Sequence, residues 1–448
     1  MGETMGRRRV VAAQVQAPRL VLLLDVLALT LFGLVMVYSS STVEAFTDPD
    51  IASTADYLAD QLLFVAVGIL CALAVWKFVP PRVWHGPFVW IVWAVAIALL
   101  VLTALFGYGI ENSDGTQDAV RWLSIGGRSF QPSEFAKIAF ILAAARIMAD
   151  YRVHHDSFAA IAQMSAFVLL PTVVFLTWLQ SDLGSTMICV VGVLAVLWFG
   201  GMRMRWFFAV FGLIFAFGLV AMLGVDYRRA RVLILADPWQ DPLDLGYQLI
   251  HSFYALAQGG LFGVGLGNST MKYLYLPEAE CDYIFAIVGE ELGLVGAMLV
   301  VVLFLVFLWA GVRIAKGSHD DLSALLAAGL AVMIVFQAFL HIAGTIGLFP
   351  ETGKTLPFFS SGGSSMVATF IAVGLMLSVS KESGEPTVHD ARRENLRLVR
   401  EQPGSHAGRA SRQPARMQGS AAPRAVACDG AAPRTGGRRI VRREQPCS

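Results

Sequence analysis

Apolar residues gather in ten runs of about 17–25 residues, the length a helix needs to cross a bilayer. They cover roughly residues 19–40, 60–79, 88–107, 133–149, 160–179, 183–200, 205–225, 286–312, 322–346 and 363–380. The run at 133–149 is short and carries Glu134, Lys137 and Arg146. Most connections between runs are brief. The exception is 226–282, a 57-residue segment punctuated by Asp237-Pro238-Trp239, Asp241-Pro242, Gly246 and the glycine-rich run 259–267. A connection this long is functional or disordered, and its aromatics and leucines argue for order. The pattern predicts an all-α polytopic membrane protein of about ten transmembrane helices, with a large extracytoplasmic loop between helices 7 and 8.

Composition agrees. Of 448 residues, 56% are hydrophobic and only 15% charged, against about 25% charged in an ordinary soluble domain. Lys and Arg alternate with acidic residues from one connection to the next. Arg7–Arg9, Lys77 and Arg82, Arg152, Arg203 and Arg205, and Arg313 and Lys316 share one side; Asp48, Asp50, Glu111, Asp114 and Asp118 share the other. The positive-inside rule then places both termini in the cytoplasm. The division expected is a cytoplasmic N-terminal segment over 1–18, a membrane domain over 19–380, and a disordered cytoplasmic tail over 381–448. That tail carries 14 Lys and Arg against 7 Asp and Glu, which suits anionic lipid headgroups rather than nucleic acid. The first run follows Arg7-Arg8-Arg9 without a small-residue cleavage site, so it reads as a spanning helix, not a signal peptide. Five cysteines without paired spacing give no disulfide framework.

The long loop places Arg228, Arg229, Arg231 and Lys272 on the outer side, against the charge trend, and an anionic ligand would account for them. Tyr275–Tyr283 sets Glu278, Glu280 and Asp282 just ahead of an apolar helix. Asp282 reads either as a cap or first-turn residue of that helix or as a general base at the membrane–water boundary. Glu290 and Glu291, inside the helix, read as a structural ion pair with Lys137. Lys137 itself is either neutralised by Glu134 at i,i+3 or free to hold a phosphate. Arg121-Trp122 and the turn Gln180–Ser185 suit interface anchoring. The last outer loop, Gly353–Ser365, offers glycine N–H groups and hydroxyls, Ser364 and Ser365 among them, to an anion. It matches no P-loop. His251 and His341 stand alone and read as packed rather than ligating.

Several of these segments are specific wording. In order they are Gln131-Pro132-Ser133-Glu134-Phe135-Ala136-Lys137, Gln180-Ser181-Asp182-Leu183-Gly184-Ser185, Asp237-Pro238-Trp239 with Gly246-Tyr247-Gln248, and Gly265-Leu266-Gly267-Asn268-Ser269. Tyr275-Leu276-Pro277-Glu278-Ala279 with Asp282, Gly289-Glu290-Glu291-Leu292-Gly293, and Pro357-Phe358 with Gly362-Gly363-Ser364-Ser365 follow. Over residues 19–380 the chain resembles the SEDS family (shape, elongation, division and sporulation). Gly267-Asn268-Ser269 and the two segments after it are closer to the division branch than the elongation branch, and the sporulation branch shares much of them.

The resemblance implies a peptidoglycan glycosyltransferase of the bacterial cytoplasmic membrane, acting at the division septum. Such proteins polymerise lipid II at the outer face beside a class B penicillin-binding protein and other division proteins. The family's essential acidic residue falls on Asp282, which would take the proton of an attacking sugar hydroxyl. Undecaprenyl diphosphate would leave from the growing glycan, with inversion. The departing diphosphate needs positive charge, for which Arg121, Lys137, Arg228, Arg229, Arg231 and Lys272 are the candidates. A divalent cation such as Mg²⁺, held by Glu278 and Asp282, would serve the same end. A lipid II flippase and an elongation- or sporulation-type polymerase are the alternatives. The chain departs from the family's usual residues at Glu280-Cys281 (His-Thr), Ser181 (Pro) and Ser361 (Tyr), and near His341, where Asn is usual.

Overall fold

The computed structural model describes residues 2–41, 54–109, 120–224, 226–273 and 275–382. The proposed tail from residue 383 onward, and Asp48, Asp50, Glu111, Asp114 and Asp118 of the acidic connections, lie outside the described residues. Helices occupy all ten expected positions. They are α1 (Gly2–Ser40), α2 (Thr54–Phe78), α3 (Phe88–Phe106), α4 (Pro132–His154), α5 (Ser157–Leu179), α6 (Leu183–Phe199), α7 (Met204–Leu223), α10 (Ile284–Gly317), α11 (Asp321–Thr345) and α12 (Gly363–Glu382). Two more, α8 (Asp226–Ala236) and α9 (Tyr247–Gly259), order the long loop. A two-stranded antiparallel hairpin, Leu123–Ile125 with Arg128–Phe130, is the one sheet among the described residues.

Among the described residues, eight helices are long and apolar enough to span a membrane. The other two expected spans, α4 and α6, differ for physical reasons. Helix α6 has only 17 residues. Helix α4 carries charge, yet from Pro132 to Tyr151 nearly every side chain is buried. Its environment is protein rather than lipid, so its charges are paired: Lys137 Nζ lies 2.9 Å from Glu134 and 2.9 Å from Gln337 Oε1 on α11. Helix α7 is the opposite case. Phe208, Phe211, Leu213 and Phe215 are all exposed, as on a helix that faces lipid. Helices α10, α11 and α12 pack on one another and on α1, α2 and α4.

Helix α5 is wound as a π-helix over Ser165–Leu169 and Thr172–Leu179, on either side of Pro171. Trp93 of α3 donates its Nε1–H to the carbonyl of Phe167 at 2.6 Å, which supports the widened turn.

The long loop is anchored by a break in α10. Gly293 sits at φ 68°, ψ −167°, a conformation open to glycine. The nearby Glu290 and Glu291 carbonyls accept the N–H groups of Val264 and Gly265, both at 3.0 Å. Gly263 approaches so closely that a Cβ there would stand 2.1 Å from the Glu291 carbonyl oxygen. The Glu290 carboxylate meets Ser269 and Thr270, and Glu291 accepts from Ser39 of α1 and from Lys272 at 3.2 Å. These two glutamates are structural, as expected, but Lys272 and loop hydroxyls take the place expected of Lys137. Lys137 is spent on Glu134.

Candidate functional site

Asp282 lies one residue before Tyr283, the N-cap of α10, and the cap carries no side-chain hydrogen bond. The capping alternative is thereby set aside. Its backbone N–H closes a turn on the Glu278 carbonyl at 2.9 Å, and Glu278 takes φ 52° to make that turn. The segment Phe349–Ser361 is stitched over it. Ser361 N–H donates to the Glu280 carbonyl (3.0 Å) and Ser360 Oγ to the Cys281 carbonyl (2.6 Å). The Tyr283 hydroxyl donates to Glu351 Oε2 at 3.0 Å, and Arg231 of α8 donates to the Glu351 carbonyl at 3.3 Å.

Lys354 reaches the other way, to Asp182 at 2.6 Å, both groups almost wholly buried. Asp182 also caps α6 through Ser185 N–H at 2.9 Å. Arg121 braces the preceding turn by donating to the carbonyls of Gln180 (3.1 Å) and Ser181 (3.0 Å). Arg228 donates to the carbonyls of Ala221 and Thr177, close enough to Arg121 and Asp182 to feel both charges. Burial works against an ionised Asp182, but Lys354 and Arg121 outweigh it and hold the carboxyl below the usual range.

Asp282 has the reverse balance. Burial, then the Glu351 and Glu278 carboxylates, raise its pKa to about 7, against the pull of Lys354 and Arg231. Burial also raises Glu351, opposed by Arg231 and the Tyr283 hydroxyl. A cleft of about 390 Å³ opens beside this group, lined by Arg231, Tyr247, Gln248, Pro277, Tyr283 and Glu351. A second, much smaller void shares Glu351 and Gly344 with it and is lined by Asp282, His341 and Lys354. The arrangement joins a carboxyl poised to exchange a proton near neutral pH with a cation-bearing cleft.

The family of cell cycle proteins that comprises FtsW, RodA and SpoVE matches residues 19–385. The chain is 37% identical over 377 residues to stage V sporulation protein E of Bacillus subtilis, covering 82% of this chain and 98% of that one. It is 36% identical over 365 residues to a probable peptidoglycan glycosyltransferase FtsW of Geobacter sulfurreducens, covering 81% and 94%. The chain belongs to the SEDS family. Among solved structures, its fold is similar to rod shape determining protein RodA of Thermus thermophilus (TM-score 0.59, 25% identity, 81% of this chain and 96% of that one). It is also similar to a chain of a peptidoglycan synthase complex that coordinates polymerization and crosslinking (TM-score 0.64, 26% identity, 81% and 97%). This SEDS chain is a multi-pass membrane protein.

The fold of this SEDS chain sorts the expected site residues. Glu278, Arg231 and Glu351 all act on Asp282, while Arg121 and Arg228 gather around Asp182 and its partner Lys354. Lys137 and Lys272 do not join them, since each is buried in its own ion pair. Arg229 is exposed on α8. Ser364 Oγ accepts from the N–H of Gln131, the N-cap of α4, and Ser365 Oγ from Thr355 Oγ1 within the last loop. Glu351, Lys354, Tyr283, Asp182 and His341 were not singled out by the sequence as site residues. Glu351 and Lys354 left one trace, a charged pair inside a short connection between two apolar spans.

Glu278 and Asp282, the expected metal pair, stand close enough for the Glu278 charge to raise the Asp282 pKa. The one convergent group of metal-capable side chains among the described residues is Glu278, Glu280 and Cys281, with donor atoms within 4.8 Å of one another. Asp282 is not in it, and the Cys281 thiol donates to the Ser361 carbonyl at 2.9 Å. Mg²⁺ takes oxygen ligands in octahedral array, and a thiol is too soft for it. The set does not fit Mg²⁺, so no step is routed through a metal.

Proposed function

We propose that this SEDS chain is a peptidoglycan glycosyltransferase that polymerises lipid II at the outer face of the bacterial cytoplasmic membrane, in septal wall synthesis. Both termini would lie in the cytoplasm, with a class B penicillin-binding protein and other division proteins as partners. The observation that carries the reading is Asp282, free of a capping role and held near neutral pKa by burial and two carboxylates.

The proposed step is a single displacement. Asp282 takes the proton from the GlcNAc 4-hydroxyl of the incoming lipid II. That oxygen bonds to the anomeric carbon at the reducing end of the growing strand, whose bond to undecaprenyl diphosphate breaks, inverting α to β. Arg231 in the cleft, with Arg121 and Arg228 near Asp182, supplies the positive charge that the departing diphosphate demands. Lys354 has a second part to play, because it opposes the carboxylates that raise Asp282.

The test is strand formation from purified lipid II by the chain in liposomes with its class B partner. Polymer is expected. Because the base must be ionised, the rate should rise with pH and level off above about 7, falling about tenfold per pH unit below it. Lipid II that crosses the bilayer without forming strands would instead favour the flippase, which could draw on the buried Glu134–Lys137–Gln337 line inside the bundle.

A further inference from the structure

In an unbroken helix the N–H groups of Leu294 and Val295 would donate to the carbonyls of Glu290 and Glu291. The break at Gly293 turns these groups toward the glycine-rich run instead. Leu294 and Val295 N–H donate to the carbonyls of Gly260 (2.9 Å) and Leu261 (3.2 Å), while Val264 and Gly265 N–H donate to the carbonyls of Glu290 and Glu291. Irregular backbone is tolerated at membrane depth only where its polar groups are satisfied within the protein, and this exchange satisfies them. It also fixes the run to one level of α10.

That level follows from the length of the helix. Arg313 and Lys316 mark the far end of its apolar stretch. From Gly293 to Arg313 the rise is about 30 Å, the thickness of a hydrocarbon core. The Leu261–Val295 bond therefore stands at the edge of the hydrocarbon on the loop's side. Along this stretch α10 exposes Leu294, Val295, Met298 and Leu299, as a helix does against lipid. Leu261 and Phe262, bonded beside that face, are 62% and 81% exposed. Residues 259–266 carry no polar side chain. Exposed Tyr254 lies further back along α9, toward the cleft, and tyrosine suits the headgroup level. Apolar side chains at the tip and a phenol nearer the cleft give this surface the polarity of one leaflet.

We propose that residues 259–266 form a membrane-inserted tip, with Leu261 and Phe262 among the acyl chains of the leaflet on the loop's side. The partner of this surface is lipid hydrocarbon. Part of the long loop is thus an interfacial element rather than a fully aqueous one. The tip holds α9, whose Tyr247 and Gln248 line the cleft, at a set height over the leaflet. The assignment does not depend on the glycosyl transfer proposed above.

The test places a nitroxide on Phe262→Cys in the full chain, with the five native cysteines replaced by serine or alanine, in phosphatidylcholine liposomes. Its collisions with dissolved oxygen, which concentrates in hydrocarbon, and with a water-soluble nickel chelate are measured by electron paramagnetic resonance. The references are a nitroxide on Leu299→Cys, at the lipid face of α10, and free nitroxide in buffer. The oxygen rate should lie within about twofold of the Leu299 reference, and the nickel rate about tenfold or more below that of free nitroxide. A nickel rate close to that of free nitroxide would put the tip in water and overturn the proposal. Shielding from both reagents would also overturn it, by giving the surface to a protein contact such as a second copy of this chain. A readout on the wild-type chain needs no variant to fold. In the same liposomes, hydroxyl radicals generated in the buffer should label Phe262 no more than Leu299, as read by mass spectrometry, and strong labelling of Phe262 alone would count against insertion.

Discussion

Asp282→Asn should lower strand formation from lipid II by about 10²–10⁴-fold, the usual contribution of a positioned general base. Asn preserves the shape and the turn onto the Glu278 carbonyl, which is made by backbone atoms, but it cannot take a proton. The same variant should be more heat-stable than wild type, and the sign follows from linkage. The Asp282 pKa is raised from 3.8 to about 7 on folding, so the native state binds a proton that the unfolded chain has already released. Ionising the carboxyl therefore costs stability, increasingly as pH rises from about 4, and by a constant amount above about 7. Asn has no such cost. Its advantage in melting temperature should be full at pH 8 and shrink as pH falls from 7 toward the ordinary carboxylate range. An inactive variant that also melted earlier than wild type at pH 8 would point to a structural role for Asp282. A variant as active as wild type would remove it as the base.

The spans were legible because lipid imposes one coarse requirement, an unbroken apolar length, that a single sequence displays directly. Local chemistry was legible too. The Glu134–Lys137 pair lies at i,i+3 on one helix, and the structure forms it at 2.9 Å. The site's supporting contacts are of another kind. Tyr283 meets Glu351 across 68 residues of sequence and Lys354 meets Asp182 across 172, and no periodicity encodes which turn will fold over which. The misassigned partner of Glu291 has the same origin. Lys272 lies 19 residues before it and reaches it only because Gly293 breaks α10 and lets the glycine-rich run dock. Asp282 stood out as a carboxylate at a loop–helix boundary and through the family motifs. That it is not the cap depended on where the first helical turn begins, a boundary that sequence patterns fix poorly.

The Lys354–Asp182 pair should prove the most sensitive ion pair of the site. Both groups are almost wholly buried at 2.6 Å, so Lys354→Met leaves a buried carboxylate without its main partner. Breaking such a pair typically costs about 3–5 kcal/mol. Arg121 still faces Asp182, which argues for the lower end of that range. Adding Asp182→Asn should recover most of the loss, because Asn removes the stranded charge and still caps α6 at the Ser185 N–H. Activity should not follow stability. Lys354 is one of two cations that lower the pKa of Asp282, so without it the carboxyl rises further. The inflection of the rate profile should then move above 7 in the single variant and stay there in the stabilised double variant. Thermal melts and pH–rate profiles on the three chains separate the two effects. If the inflection returned with stability, Lys354 would act only as a brace, whereas a persistent alkaline shift would tie its charge to the base.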